Sequence, residues 1–384
     1  MSLDYTSRLQ KIEAVLRDAL PGQPDSAWFR RNFSRFFDSE RDFSPLTEKS
    51  LSLLEPGMDL LSRGGKRWRP LLMQLVCESM GGGDEALPLA PLVEFCHNAS
   101  LIHDDIEDNS SERRGKPAVH LLYGTDAAIN SGCFMYFLPL SCIDGWDAPT
   151  GAKLKLYSMW ACEMRALHLG QSLDIAWHRA WDSLPSIDDY HTMCALKTGV
   201  LARFAANTGR LAALCRSAGD DGAVFPLAKA AEKLGVGFQI LDDVKNLEEG
   251  VPGKRRGDDI VEGKKSLPVL LYLHGAASDR EETGRRLSLV MRCFESAGAS
   301  ASGAPEAEAA AEAAIEELTT VLTAAGCLEM AAERGHSLLA EAETAFSEFA
   351  AAYGGAGDEA RELLTGFTRL LSRSASGKDN SSAI

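Results

Sequence analysis

The sequence predicts an all-α fold, and three observations support that class. Between residues 70 and 275, apolar side chains recur at helical spacing in every long segment. None of these segments sustains the alternation of apolar and polar residues that a half-buried strand requires. Ala and Leu dominate them, Gly and Pro cluster in short connections, and no strand–helix–strand pattern occurs. We therefore expect a single large helical bundle.

The N-terminal part is expected to be a helix followed by an arm. Apolar residues at helical spacing cover 3–20, and the Pro- and Gly-rich residues 21–24 end that helix. The stretch 25–44 is rich in Trp, Phe and Arg and fits either a helical extension or an irregular cover. Helix resumes near Leu46 and ends at Gly64.

The rest of the chain follows the same helical pattern. Central helices are expected at 70–80, 87–110, 119–142, 151–175, 187–217, 224–250 and 266–275. Residues 296–312 resemble a flexible loop, and three more helices are expected near 311–326, 328–353 and 357–372. This gives an N-terminal helix and arm at 1–45, an all-α domain at 46–373 with its motifs within 60–275, and a disordered tail at 374–384.

Composition narrows the partners and the compartment. The 384 residues carry a formal net charge of −15, which argues against nucleic acid or an anionic membrane as the main partner. Nine cysteines show no paired spacing and mostly lie in apolar runs, so we expect reduced thiols in a cytoplasmic protein. No signal peptide is visible, and the apolar run 134–143 is too short to be an integral membrane segment.

The first functional signal is an acidic turn followed by basic residues. On a helix, Asp104 and Asp108 fall one turn apart on the same face, where like charges repel unless a cation lies between them. Arg113, Arg114 and Lys116 follow closely. Carboxylates for a hard divalent cation and cations for an anion are thus side by side, as a metal-chelated diphosphate requires. An ordinary solvated acid pair is the alternative, and an EF-hand calcium loop fits poorly because Asn109 stands where that loop needs Gly.

A second segment repeats this arrangement and makes chance composition a poor explanation. Asp242 and Asn246 have the same four-residue spacing, and Gln239 lies one turn earlier. Basic residues follow among glycines, at Lys254, Arg255, Arg256, Lys264 and Lys265. Two facing carboxylate helices could hold a metal cluster between them.

A third basic cluster opens a helix. The residues GGKRWRP at 64–70 place free backbone amides and the cations Lys66, Arg67 and Arg69 where an anion could bind. A solvated helix start is the alternative for these cations, and a satisfied core histidine is the alternative for His97.

Together these motifs resemble the trans-type polyprenyl diphosphate synthases, in order and in spacing over residues 60–275. The stretches that carry the resemblance are GGKRWRP, HNASLIHDDIEDNSSERRGKP, LHLGQSLDIAW, ALKTG, FQILDDVKN and GKRRGDDIVEGKKSLP. The resemblance implies a homodimer of helical bundles, each around a deep apolar cavity. Within the family, the sequence looks most like the geranylgeranyl diphosphate synthases.

The resemblance also assigns roles to residues at matching positions. It implies that Lys66, Arg69, His97 and Arg114 bind isopentenyl diphosphate. It implies that Arg113, Lys197, Thr198, Gln239, Lys254 and Lys264 bind the allylic diphosphate. It implies that Asp104, Asp108 and Asp242 bind Mg²⁺, and that these three aspartates and Lys197 are catalytic. The departure is Asn246, where many members carry a third Asp, so we do not expect Asn246 to be a direct metal ligand.

The implied reaction is an Mg²⁺-dependent head-to-tail condensation of an allylic diphosphate with isopentenyl diphosphate. A farnesyl or longer polyprenyl product is an alternative. A class I terpene cyclase, a squalene-type head-to-head synthase and a catalytically silent synthase subunit are further alternatives. The first two generally lack the Lys66, Arg69 and His97 set for a second diphosphate, and the third should have lost the aspartates and arginines that this chain retains.

Product length is predicted from the turn before the first aspartates. Ala99 and Ser100 are small, whereas farnesyl-forming members of the family tend to block this level with aromatic rings. Elongation should therefore pass fifteen carbons and stop one turn further on. Phe95 and Cys96 on the same helix, or a residue of the following segment, could form that floor. The following segment offers Phe134, Met135, Tyr136 and Phe137. Geranylgeranyl diphosphate is the product this favours.

Overall fold

The computed structural model of the chain describes residues 5–33, 45, 48–181, 184–215, 226–250, 256–276, 278–299, 304–352 and 358–375. Helices account for nearly all regular structure in these ranges, so the all-α prediction is confirmed. In the first half they are α1 (Thr6–Ala19), α2 (Ser26–Phe33), α3 (Leu51–Ser62), α4 (Trp68–Ser79), a 3₁₀ helix (Gly83–Leu89), α5 (Ala90–Glu107), α6 (Val119–Tyr123), α7 (Thr125–Phe137), α8 (Leu140–Gly145) and α9 (Thr150–Arg179). In the second half they are α10 (Ile187–Cys194), a π-helical turn (Ala195–Gly199), α11 (Val200–Leu214), α12 (Pro226–Glu248), α13 (Asp258–Glu262), α14 (Leu267–His274), α15 (Arg280–Gly298), α16 (Pro305–Ala324), α17 (Cys327–Ala352) and α18 (Asp358–Ala375).

The chain divides into two units. The first comprises Met1–Glu163, Leu201–Lys229 and Glu343–Ile384, and the second comprises Met164–Val200 and Ala230–Ala342. The first acidic motif belongs to the first unit and the second acidic motif to the second. The domain boundaries at residues 45 and 373 stay a prediction, with most of residues 34–47 and all of 376–384 outside the described ranges.

In the first unit, α5 is the central helix. It packs against α1, α3, α4 and α7. Phe95, Ala99 and Ile102 on it have no exposed surface. The last turn of this helix carries the acidic residues Asp104, Asp105 and Glu107.

The second unit contains two apolar clusters. One is formed mainly by α14, α15 and α16, and it includes Leu273, Phe294 and Leu318. The other joins α10, α12 and α14, and it includes Tyr190 and Ile240. Both clusters consist of residues at helical spacing. The polar side chains of α10 and α12 therefore lie on the other faces of those helices.

Several predicted helices are interrupted or extended. The helix expected at 119–142 is three helices, because Gly124 adopts a φ of 89° and Pro139 precedes α8. The helix expected at 187–217 contains the π-helical turn at Ala195–Gly199. An antiparallel pair of very short strands, β1 (Glu112–Arg113) and β2 (Lys116–Pro117), was not predicted.

The expected loop at 296–312 is wrong over most of its length. Helix α15 extends to Gly298, and α16 begins at Pro305. Pro is favourable in the first turn of a helix, and the Ala- and Glu-rich residues that follow are strong helix formers, so the local composition suits a helix better than a loop. None of the helices in the described ranges combines the length and apolar character needed to cross a bilayer.

Candidate active site

The basic loop before α4 has an unusual backbone. Gly64 and Gly65 adopt φ values of 87° and 136°, and Arg67 adopts the left-handed φ of 45°. A Cβ at Gly65 would lie 3.0 Å from the Arg67 guanidinium and 3.1 Å from that of Arg114. Glycine is therefore required at position 65 both for its conformation and for the close approach of two cationic groups.

Arg67 and Arg114 belong to one buried network. Arg67 Nη1 lies 2.9 Å from Glu94 Oε1, and Arg67 Nη2 donates to the carbonyl of Leu61 at 2.6 Å. Arg114 Nη1 donates to Asn98 Oδ1 at 3.3 Å, and Asn98 Nδ2 donates to Glu94 Oε1 at 3.1 Å. Arg67, which sequence reasoning grouped with the anion-binding cations, is thus committed to holding the loop.

The other predicted residues of this cluster lie around that network. Arg69 is 9% exposed, and its guanidinium lies 4.3 Å from the centre of the Trp68 ring. Burial, with Arg69 and Arg114 close by, holds the pKa of His97 well below its ordinary value, so His97 is a neutral hydrogen-bonding group. Burial also lowers the pKa of Arg114 to about 10, which leaves it protonated at neutral pH. Lys66 is half-buried at the start of the same loop.

The first acidic motif occupies the C-terminal end of α5. The helix ends at Glu107, and the N–H of Asp108 closes the last turn on the carbonyl of Asp104 at 2.8 Å. No basic side chain lies in that turn. Carbonyl groups at a helix C-terminus carry partial negative charge, so carboxylates are unfavourable there without a cation. The turn is electrostatically suited to a divalent cation.

The two aspartates of the dipeptide at 104–105 have different surroundings. Asp105 is fully buried, and its Oδ1 accepts a hydrogen bond from Arg113 Nε at 2.8 Å. Asp104 is less buried and lies 3.7 Å from Arg113 Nη2. Arg113 therefore supports the acidic turn, while its neighbour Arg114 turns toward Asn98 and the basic loop. The two neighbouring arginines therefore contact different groups, and their substrate roles stay a prediction.

A hairpin produces this separation. Arg114 and Gly115 connect β1 to β2 with φ values of 54° and 73°, the positive pair that a two-residue hairpin turn needs. Arg63 Nη1 donates to the carbonyls of Arg113 and Pro117, both at 2.9 Å, and fixes the hairpin. Arg63 is thus structural.

In the second acidic motif, on α12, only the first aspartate is exposed. Asp242 is exposed, whereas Asp243 is 7% exposed and accepts from Tyr190 Oη at 2.6 Å and from Gln239 Nε2 at 2.9 Å. Burial raises the pKa of Asp243 to about 6. Asn246 is 2% exposed, and its Oδ1 accepts the backbone N–H of Asp259 at 3.2 Å. Asn246 therefore holds the backbone of the first turn of α13.

Lys197 and Thr198 lie in the π-helical turn. A Cβ at Gly170 would lie 2.5 Å from the backbone nitrogen of Lys197, so α9 approaches this turn as closely as only glycine allows. Lys197 Nζ pairs with Asp174 Oδ2 at 2.6 Å, and Thr198 Oγ1 donates to Gln239 Oε1 at 2.9 Å. Although burial acts to raise the pKa of Asp174, Lys197 and His178 hold it well below its ordinary value. Asp174 therefore orients Lys197. π-Turns are frequent at functional sites.

The remaining predicted cations lie near α13. Lys264 pairs with Glu262, and its Nζ lies 4.0 Å from Asp259 Oδ1. Lys265 is 3% exposed, with its ammonium 4.2 Å from the centre of the Trp181 ring. Burial lowers the pKa of Lys265 to about 8. Lys254 lies outside the described residues.

Some residues of the site were not found from the sequence. Asp105, Asp243 and Tyr190 had no predicted role, yet each makes a buried polar contact beside a predicted residue. The adjacent acid pair was the available signal, because successive residues on a helix point in different directions, so both carboxylates cannot face one ligand. Among the described residues, no three His, Cys, Asp or Glu side chains converge on a ready-made metal site.

Comparison with known proteins identifies the family. The model of the family described as polyprenyl synthetase matches residues 51–295. The chain belongs to the polyprenyl synthetase family. As a polyprenyl synthetase, it is a prenyltransferase enzyme, and the family prediction is confirmed.

Individual relatives agree with that assignment. A geranylgeranyl pyrophosphate synthase from Eremothecium gossypii is 37% identical over 223 residues, which cover 57% of this chain and 68% of the relative. A short chain isoprenyl diphosphate synthase from Methanocaldococcus jannaschii is 34% identical over 260 residues, 66% of this chain and 76% of the relative. The crystal structure of a geranylgeranyl pyrophosphate synthetase from Pyrococcus horikoshii is 23% identical, with a TM-score of 0.69 over 94% of this chain and 96% of that one. At this identity the structure supports the fold alone.

Proposed function

We propose that this polyprenyl synthetase condenses an allylic diphosphate with isopentenyl diphosphate, head to tail, and that its product is geranylgeranyl diphosphate. The observation that carries the proposal is the acidic last turn of α5, which has no basic side chain of its own. Arg113 flanks this turn, and the neighbouring Arg114 contacts Asn98 on the same helix. The second motif supports it, since exposed Asp242 shares α12 with Gln239, the partner of Thr198.

Mg²⁺ fits the residues at both motifs. Mg²⁺ is usually held by one or two carboxylates together with substrate phosphates, and it keeps several waters. Asp104 and Asp108 in the first motif and Asp242 in the second would supply those carboxylates. When bound, Mg²⁺ neutralises negative charge that develops on the departing diphosphate. Asn246 is not assigned to the metal, because its side chain holds the backbone of Asp259.

The two diphosphates are assigned to different groups of cations. Lys66, Arg69, His97 and Arg114 would bind isopentenyl diphosphate, with neutral His97 contributing a hydrogen bond. The allylic diphosphate would be bound by Arg113, Lys197, Thr198, Gln239, Lys254 and Lys264. Charge-assisted hydrogen bonds from the Lys and Arg side chains are strongest where a diphosphate carries most charge, so they favour departure of the leaving group.

The reaction then follows from charge separation. The bond between the allylic carbon and the diphosphate oxygen breaks, and its electron pair leaves with the diphosphate. The double bond of isopentenyl diphosphate supplies the electrons for the new carbon–carbon bond. The resulting cation loses a proton to the departing diphosphate, since we assign no side chain as a general base. Apolar walls are required because water would capture the cation.

We further propose that Tyr136 sets the product length. Ala99 is buried, and Ser100 donates its hydroxyl proton to the carbonyl of His97 at 2.8 Å, so this level of α5 carries only small side chains and no free hydroxyl proton. Of the four candidate floor residues on α7, Phe137 is 61% exposed, Phe134 stacks on Phe33, and Met135 faces Gly57 of α3. Tyr136 is 6% exposed and lies beside His103, with ring centres 5.7 Å apart. Burial and the nearby Cys96 thiol raise the pKa of the Tyr136 hydroxyl, so Tyr136 also lies near Cys96, one turn beyond Ser100 on α5, where elongation should stop.

The protein is also proposed to be a cytoplasmic homodimer. Ile129, Cys133 and Phe137 form an exposed apolar row on α7, and Leu154 and Cys162 form one on α9. The rows are joined where Phe137 meets Trp160, with ring centres 5.9 Å apart. An exposed apolar surface of this kind suits a second copy of the same chain. All nine cysteines are free thiols, in keeping with a reducing compartment.

The test is a reaction with dimethylallyl and isopentenyl diphosphates, together and separately, in the presence of Mg²⁺. Diphosphate release that needs both substrates, with geranylgeraniol as the main alcohol by mass spectrometry after dephosphorylation, is the expected result. Release from the allylic substrate alone would instead indicate a cyclase. The double variant Ala99→Phe, Ser100→Phe should stop at farnesyl diphosphate while the first condensation continues. A wild-type product of fifteen carbons, or an unchanged product in the variant, would contradict the cavity assignment.

A further inference from the structure

A chain of four hydrogen-bonded side chains crosses the second unit. Tyr190 Oη donates to Asp243 Oδ2 at 2.6 Å, and Gln239 Nε2 donates to Asp243 Oδ1 at 2.9 Å. Thr198 Oγ1 then donates to Gln239 Oε1 at 2.9 Å. The chain joins α10, α12 and the π-helical turn, and it ends at a residue assigned above to the allylic substrate. Tyr190 and Asp243 have no role in the proposed reaction so far.

The direction of each hydrogen bond is set by its neighbour. An ionised carboxylate only accepts, so both oxygens of Asp243 need donors. One donor is the Tyr190 hydroxyl, whose pKa is raised well above its ordinary value by burial and by Asp243, so it keeps its proton. The other must be the NH₂ group of Gln239. This places the amide oxygen of Gln239 toward Thr198, and that oxygen accepts the single hydroxyl proton of Thr198.

This directionality determines what Thr198 can offer a ligand. Its proton is committed to Gln239, so a group that approaches Oγ1 meets oxygen lone pairs only. Such an oxygen can accept a hydrogen bond from a water bound to the diphosphate, and it is attractive to the electron-poor allylic carbon beside it. With the Gln239 amide reversed, its NH₂ would face Thr198, and the hydroxyl proton would be turned toward the ligand instead.

The tyrosine end of the chain is built into the core. Tyr190 is 1% exposed and lies in the cluster that contains Ile240, Val244 and Leu270. A phenylalanine would fill the same space, so packing alone does not require the hydroxyl. Its hydrogen bond is made to a carboxylate that is itself 7% exposed. Loss of that donor would leave Asp243 Oδ2 short of a partner and free Asp243 to rearrange.

We infer that Tyr190 is a positioning residue for the departure of the allylic diphosphate, acting through Asp243 to fix the direction of the Gln239 amide and hence the proton of Thr198. The inference rests on the proposed function, because it assigns the step that the chain serves. Tyr190 and Asp243 touch no substrate in this assignment and act only through Gln239 and Thr198.

The test is the Tyr190→Phe variant in the full-length enzyme. The single-turnover rate of the first condensation at saturating substrates should fall about tenfold, the scale at which outer partners of functional groups act. The KM for isopentenyl diphosphate should stay unchanged, because none of the residues assigned to that substrate belongs to this series of hydrogen-bonded side chains. Rates are normalised to folded protein by circular dichroism, so a purely structural role would lower the melting temperature and leave the normalised rate intact. That second result would overturn the inference.

A matched control is available in the first unit. Tyr157 donates to Asp144 Oδ1 at 2.8 Å, so Tyr157→Phe removes the same kind of bond outside both motifs. It should leave the rate at the wild-type value. If Tyr190→Phe behaves like Tyr157→Phe while the wild type condenses both substrates, the inference fails and the proposed function stands.

A second variant tests the mechanism independently of tyrosine packing. Asp243→Asn can still accept from Tyr190, but its NH₂ group then faces Gln239 and forces the amide to reverse. It should slow the first condensation by about tenfold as well. In the double variant Tyr190→Phe, Asp243→Asn, the loss should match the larger single loss, because both changes act through Gln239. Losses that multiply would show that the two residues act separately, and the inference would be wrong.

Discussion

The two acidic motifs look alike in sequence and differ in how their buried charge is compensated. In the first, Asp105 is paired with a cation, since Arg113 Nε donates to it at 2.8 Å. In the second, Asp243 is held by neutral donors, the Tyr190 hydroxyl at 2.6 Å and the Gln239 amide at 2.9 Å. The pKa of Asp243 is accordingly raised to about 6 by burial. In each dipeptide the second, inner aspartate holds the fold, with a different electrostatic environment in the two motifs. We propose that the first, outer aspartate of each dipeptide, Asp104 or Asp242, binds the ligand.

The largest expected effect is at the outer aspartate of the first motif. Asp104→Ala should lower turnover roughly 10²-fold or more, because it removes a ligand of the metal that stabilises the leaving group. Stability should change little, since the side chain lies at the end of α5 and not in apolar packing. Steady-state kinetics at saturating Mg²⁺ and a melting curve measure both. Near-normal turnover would remove the motif from the mechanism.

Asp105, the inner aspartate of the same motif, should contribute mainly to stability. Asp105→Asn removes the charge that Arg113 is paired with in a buried position, and breaking such a pair costs about 3 kcal/mol of unfolding free energy. Urea unfolding of wild type and variant, with equal m values, gives the difference. A variant as stable as the wild type would mean that Asp104 alone compensates the charge of Arg113.

The contribution of Asp243, the inner aspartate of the second motif, to stability should depend on pH. Because its pKa is raised to about 6, the folded state binds a proton more tightly than the unfolded chain does. The free energy of unfolding therefore falls as the pH rises from about 4 to about 6, and the lost stability is not regained above pH 6. Asp243→Asn should match the wild type near pH 4 and be more stable at pH 8, by on the order of 1–3 kcal/mol.

Unfolding in EDTA at the two pH values measures this difference without a contribution from bound metal. The Asp105→Asn variant is the matched comparison, because it should lose stability at pH 8 where Asp243→Asn gains it. A loss of stability in both variants at pH 8 would contradict the difference in compensation described above.

The smallest effect is expected at the last position of the second motif. Asn246→Asp restores the third acid of many family members, but its side chain faces the backbone of Asp259 at 3.2 Å. An Asp can accept the same hydrogen bond. The Mg²⁺ concentration needed for half-maximal activity should therefore stay the same. A markedly tighter Mg²⁺ response would show that position 246 reaches the metal.

Sequence reasoning found the parts of this site that depend on type and spacing of residues. The helical class and the acid turns were predictable, because a period of 3.6 residues decides which side chains share a face. It could not separate Arg67 from Arg69, since Arg67 turns inward through a left-handed backbone directly before α4. Asp243 was missed for a similar reason, because its tyrosine partner lies 53 residues away in sequence.

Local composition also misled the prediction in two places. The stretch 296–312 was expected to be a loop because it is rich in small residues, but Pro305 starts a helix whose Ala and Glu residues favour that state. The hairpin at Arg114 and Gly115 was overlooked because its strands are only two residues long. Its turn chemistry, a positive-φ pair ending in Gly, was the signal available.

We propose that the outer aspartate of each motif acts in the reaction while the inner one holds the site in place. The most direct test compares two adjacent, equally conservative variants, Asp242→Asn and Asp243→Asn, by the single-turnover rate of the first condensation at saturating Mg²⁺. We expect Asp242→Asn to lose roughly 10²-fold or more, as a lost stabiliser of the leaving group does, and Asp243→Asn about tenfold. Equal losses, or a greater loss for Asp243→Asn, would contradict the division of roles.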